Sequence, residues 1–135
     1  MNPTSLLAVG LLLCTGVFNV LHADTPKEYK DQEAMAEKLF KAYNKDDAKG
    51  VFNDYMDALK GSADQLYGVL FKPSKEKYGN YKSHTFVKDG SVATDDVVLL
   101  ILQVEFEKEK KVKVAINYGK EGKDWKIQQV TFDPK

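Results

Sequence analysis

Val97-Val98-Leu99-Leu100-Ile101-Leu102-Gln103-Val104-Glu105-Phe106 is the stretch that decides the fold. Val98, Leu100, Leu102, Val104 and Phe106 fall on one face of an extended chain. Val97, Leu99 and Ile101 make the other face apolar for its first half, so that half must be covered on both sides. Downstream, Glu107 to Lys111 reads as a charged turn. Val112, Val114, Ile116 and Tyr118 then alternate with Lys113, Ala115 and Asn117 as a second strand, and Gly119 to Lys123 turns again. The last strand runs from Asp124 to Phe132. Its apolar positions change parity between Ile127 and Val130, which calls for a β-bulge or for a strand whose ends pack on opposite sides. Upstream, Tyr81, Ser83, Thr85 and Val87 alternate with Lys82, His84, Phe86 and Lys88 ahead of the turn signal Asp89-Gly90. These segments predict an antiparallel sheet of about four strands.

The chain before the sheet has a different period. From Pro26 to Tyr43 the residues Tyr29, Met35, Ala36, Leu39, Phe40 and Tyr43 recur at three- and four-residue steps, an amphipathic helix. Thr25-Pro26 suits its start, as a hydroxyl cap followed by proline at the first helical position. Asp46 or Asp47 can cap a second helix from about Ala48 to Lys60, with Val51, Phe52, Tyr55, Met56 and Leu59 on one face and Gly61 past its end. A third begins at Ser62, in capping-box spacing with Gln65, and stops before Pro73. Helices first and an antiparallel sheet afterwards give an α+β fold in which the helices cover one sheet face.

Leu6 to Val20 is apolar apart from Gly10, Cys14, Thr15, Gly16 and Asn19. It is too short for a bilayer span of about 20 apolar residues and fits the core of a signal peptide. Ala23 before Asp24-Thr25-Pro26 offers the cleavage site, so residues 1–23 are expected as a signal peptide and 24–135 as one domain with no stable membrane span. Leu21 at the −3 position and an n-region without Lys or Arg fit less well. A lipoprotein reading of Cys14 is opposed by Leu13 before it and by the apolar residues that continue beyond it. Cys14 is the single cysteine; residues 24–135 therefore have no disulfide, thiol nucleophile or thiolate metal site, which tilts the expected location to a bacterial periplasm or the secreted space. Formal net charge is zero with no long single-sign block, so the field that gathers nucleic acid is missing.

Three leading helices and a meander ending in Lys123-Asp124-Trp125-Lys126-Ile127-Gln128-Gln129-Val130-Thr131-Phe132 resemble the nuclear transport factor 2-like fold of the cystatin-like superfamily. The likeness is to its small exported bacterial families of unknown function, in which a segment like Tyr78-Gly79-Asn80-Tyr81-Lys82 follows the helices. The resemblance implies helices packed on a curved, cone-like sheet around a pocket. Relatives include isomerases, dehydratases, ligand-binding modules and interaction domains, so function must be argued from the site.

No catalytic set matches the superfamily's acid and base positions, and no cofactor or metal motif is present. His84 is the only histidine after residue 23; a metal site built on it would need carboxylates, and no zinc-type spacing occurs. It could serve as a lone base or ligand contact, but alternation puts it beside Lys82 and Lys88 as an ordinary sheet-surface histidine. Asp54 and Asp57, three apart on the expected second helix, could divide acid and base roles, although they sit off the apolar stripe. Tyr43, Tyr55, Tyr67, Tyr118 and Trp125 carry polar tips on apolar bodies, which suits a pocket wall or a core boundary. Tyr43, Tyr55, Trp125 and His84 are the ligand-binding candidates. The expected partner is a small apolar ligand, a peptide or an envelope protein. The doubly apolar Val97 to Ile101 segment gives reason to expect a homodimer through the outer sheet face. The alternative is an isomerase- or dehydratase-like enzyme with an acid/base residue inside the cone.

Overall fold

Pro26 sets an extended entry to a 3-10 turn at Lys27–Tyr29, which runs into the long helix α1, Lys30–Asn44. In this computed structural model, residues 25–134 are described; the expected signal segment, with Cys14 and Ala23, lies outside the described residues. Ala36, Leu39, Phe40 and Tyr43 form the buried stripe of α1. Thr25 does not cap the helix; its hydroxyl donates to Glu33 Oε2 at 3.0 Å. Asp47 does cap the next one, accepting from the Gly50 N–H at 3.1 Å at the start of α2, Ala48–Val51.

The second helix is far shorter than the expected Ala48 to Lys60. After α2 the chain unwinds so that Tyr55 lies opposite Ile127 in a parallel bridge. The Met56 N–H donates to Ile127 O at 3.0 Å, and the Ile127 N–H to Asp54 O at 2.7 Å. These bonds, with Phe52 and Tyr55 buried beside them, outweigh a helical propensity that is only a weak preference. A 3-10 turn at Asp57–Leu59 follows. Helix α3, Ala63–Leu70, begins after Ser62 without a side-chain cap bond. It stops before Pro73, as expected, and Pro73 itself lies in the first turn of a further helix, α4, Lys72–Tyr78. That helix ends at Gly79, whose φ of +79° disfavours any residue with a Cβ.

The rest of the chain is an antiparallel sheet: β1, Tyr81–Phe86; β2, Val92–Ala93; β3, Val97–Phe106; β4, Val112–Glu121; and β5, Asp124–Phe132. The order is β1-β3-β4-β5, with β2 also on β3, so the sheet has five strands; the added one is two residues long and too short to show a period. Between β1 and β2 the chain stays on β3. The Val87 N–H donates to Ile101 O at 2.9 Å, and the Ser91 hydroxyl accepts from the Ile101 N–H at 2.9 Å. The doubly apolar start of β3 is thus partly covered within the chain: Ile101 is buried, while Val97 is 49% exposed. On β5 the parity change is a bulge at Gln128, between the pairs Ile127↔Tyr118 and Gln129↔Asn117. It keeps Ile127, Val130 and Phe132 opposite Tyr118, Ile116 and Val114, all on the face that packs on the helices.

Aromatic rings join the two layers. Phe40 stacks on Tyr81 with centroids 4.6 Å apart, and Tyr43 meets Phe71, Phe106 and Phe132 at 6.0 to 6.5 Å. Asn44 ends α1 by bonding the open side of β1: its Oδ1 accepts from the Tyr81 N–H at 2.7 Å and its Nδ2 donates to Tyr81 O at 2.9 Å. The last carbonyls of α1 receive Lys75, whose ammonium donates to Tyr43 O at 2.9 Å and to Asp46 Oδ1 at 3.0 Å. Lys75 and the Tyr67 hydroxyl together hold the Asp46 carboxyl below its ordinary range.

A lowered carboxylate pKa stabilises the fold above the unfolded value, about 3.9, and that contribution is lost as pH falls through the lower folded value. Asp46→Asn should therefore lose less stability than the parent between about pH 6 and about pH 3 in urea titrations. Lys75→Met should cost about 1–3 kcal/mol at neutral pH, by leaving the carbonyl of Tyr43 and the carboxylate of Asp46 without their ammonium.

Candidate functional site

Two grooves flank the first half of α1. Along one flank, Lys30, Glu33, Ala34, Glu37, Lys38 and Lys41 recur at three- and four-residue spacing, so they form one stripe. With His84 of β1 they line a groove of about 590 Å³.

His84 is buried, at 4% exposure, and not on the sheet surface as its alternation with Lys82 and Lys88 suggested. The reason is a register shift between Tyr81 and Ser83. It puts Tyr81 opposite Phe106 and His84 opposite Val104, so both turn toward α1 although they are three residues apart. There they form a hydrogen-bonded chain with α1: Tyr81 hydroxyl to His84 Nδ1 at 2.7 Å, and His84 Nε2 to Glu33 Oε2 at 2.8 Å. The Thr25 hydroxyl adds a bond to the same carboxylate oxygen. Burial, and then the charges of Glu37 and Glu33, raise the Tyr81 phenol pKa, so the phenol keeps its proton and can donate to Nδ1. With the phenol donating to Nδ1, the imidazole N–H that faces Glu33 is the one on Nε2.

The second groove, of about 470 Å³, lies on the other flank and ends at Trp125. Lys27, Glu28, Asp31 and Gln32 come from the start of the helical segment, and Thr94, Asp95 and Val98 from the β2–β3 side. The Lys120 ammonium lies 5.0 Å from the Trp125 ring centroid.

The four candidates are therefore not brought together. His84 lines the first groove and Trp125 the second. Tyr43 and Tyr55 belong to the aromatic core and line neither. The Tyr43 hydroxyl donates to Gly79 O at 3.0 Å, and burial raises the Tyr55 phenol pKa. Asp54 and Asp57 do not pair as acid and base, since the first faces Lys38 and the second Lys60. Among the described residues no group of His, Cys, Asp and Glu side chains is placed to hold a metal ion, and no helix is long and apolar enough to cross a membrane. Glu33, Tyr81 and Gln32 escaped the sequence reading. Nothing in the sequence signalled the first two: alternation puts Tyr81 and His84, three residues apart, on opposite faces, and only the register shift brings them together.

No protein-family model matches the chain, and no curated protein matches it. Among solved structures it is similar to "Structure of Bdellovibrio bacteriovorus Bd1075", at 21% identity and a TM-score of 0.48, over 78% of this chain and 40% of that one. The chain thus spans less than half the length of that protein.

Glu33→Ala should cost about 1–3 kcal/mol in urea unfolding, because it takes a charged acceptor from a buried imidazole. Glu37→Ala removes only an exposed pairing with Lys41 and should stay within about 0.5 kcal/mol of the parent.

Proposed function

We propose that this chain is an exported binding domain of the nuclear transport factor 2-like kind, acting in the periplasm or outside the cell. Its ligand sits in the groove between α1 and His84. The order of helices followed by a meander and the apolar segment from Leu6 to Val20 support that reading. The observation that carries the choice of site is the groove itself: about 590 Å³, with a buried histidine held by Glu33 and Tyr81. The core offers Tyr43 and Tyr55 no comparable opening, because neighbouring rings occupy it.

Three lysines and two carboxylates line the groove. Glu33 is engaged by His84, Glu37 pairs with Lys41, and Lys38 faces Asp54, which leaves Lys30 as the lining lysine without an ion pair among the described residues. Lysine stems and Ala34 supply apolar surface below their charges. A small amphipathic acid, or the acidic end of a peptide, fits this chemistry.

A second reading is favoured by the chain of carboxylate, imidazole and phenol. An isomerase- or dehydratase-like enzyme could use His84 to take a substrate proton once Tyr81 yields its place on Nδ1. His84→Asn that folds like the parent yet abolishes turnover of a carbonyl substrate would support this enzyme.

The binding reading is tested by native and denaturing mass spectrometry of the protein purified from its own host. The expected result is a mass excess seen only in the native spectrum and lowered about tenfold in occupancy by Lys30→Glu with Lys38→Glu. A clean apo mass would sink the small-ligand reading and leave a protein partner.

A further inference from the structure

We propose that the second groove, beside Trp125, is a separate binding site for a small organic cation, a protonated alkylamine. Its wall carries the carboxylates of Glu28, Asp31 and Asp95 against the ammonium of Lys27, with that of Lys120 over the Trp125 ring. None of the three carboxylates has an ion pair or a hydrogen bond among the described residues. Solvated acids are common on surfaces and alone would mean nothing.

Gln32 sets this groove apart. It is 2% exposed, and its main-chain carbonyl accepts from the Tyr118 hydroxyl at 2.7 Å. Its side-chain amide has no hydrogen bond among the described residues. Neither atom of that amide is fully sealed, and the residue lines the groove, so the polar end opens into it. Side-chain amides this deeply placed are ordinarily satisfied. Here the partner is supplied from the groove: an ammonium N–H donating to the amide oxygen.

The remaining surface fits the rest of such a ligand. Val98 is apolar, and the Trp125 indole already takes an ammonium, that of Lys120. An indole face and an aliphatic side chain suit the alkyl part, while carboxylates neutralise the charge without having to converge. A metal ion would require convergence, and no such group exists among the described residues. The site is independent of the groove at His84, on the opposite flank of α1.

Trp125 is the only tryptophan in the chain, so its fluorescence reports on this groove directly. The probe is n-butylammonium chloride, titrated into the full protein at constant ionic strength up to about 100 mM, a range set by the modest binding energy of so small a ligand. The expected result is a saturable change in Trp125 emission, absent with butyrate or 1-butanol. Asp31→Asn with Asp95→Asn should weaken it about tenfold or more, with far-UV circular dichroism and thermal midpoint unchanged. Gln32→Leu should weaken it as well, while Lys30→Glu in the other groove should leave it as it is. A linear response equal to that of sodium chloride, an equal response to 1-butanol, or an unchanged butylammonium concentration at half-saturation in the folded double variant would overturn the proposal.

Discussion

At the end of α1 one ring, that of Tyr43, meets Phe40, Phe71, Phe106 and Phe132, while its hydroxyl is tied to Gly79. Its carbonyl receives Lys75 and the Tyr67 hydroxyl. The first helix, the α3–α4 pair, the central strand and the last strand all converge on this residue. With the single cysteine at position 14, no disulfide holds the described residues, and the interior is secured by packing in which these rings meet aliphatic side chains such as Leu39, Leu102 and Ile116. Burial, and then neighbouring acidic groups, push the Tyr43 phenol pKa up, so it stays a donor to Gly79.

A filled interior has a consequence for where binding can occur. Residues that a cone-like reading would aim at a pocket are spent on cohesion, and the open surfaces lie along α1. One flank interleaves three lysines with two carboxylates; the other sets three carboxylates against one lysine. The same helix, one turn apart in its side chains, separates two chemically opposed surfaces.

The three long strands and α1 were readable because each has a clear period and a buried stripe: Val97–Phe106 and Asp124–Phe132 have the expected limits, and even the bulge near Gln128 showed as a change of parity. What could not be read was decided by contacts distant in sequence. Val51, Phe52, Tyr55 and Met56 have helical spacing, yet the backbone of Asp54 and Met56 pairs with Ile127. His84 changed face because of an irregularity near Lys82 that leaves no residue signature. Its partner Glu33 lies 51 positions away and looks in the sequence like any charge on an exposed helical face. Trp125 stood out by its type, whereas Gln32 is notable only for the bond that its amide lacks.

The two outer strands of an open sheet present backbone groups to whatever chain comes near. Asn44 answers this on one side, placing a side-chain amide where the next strand's peptide group would lie against Tyr81. Residues 54–56 do the same on the other side at Ile127. Each border is thereby blocked at one register by the protein's own atoms. A second copy seeking to continue the ladder meets an occupied rung, so the architecture guards against amyloid-like stacking as well as supporting its own fold.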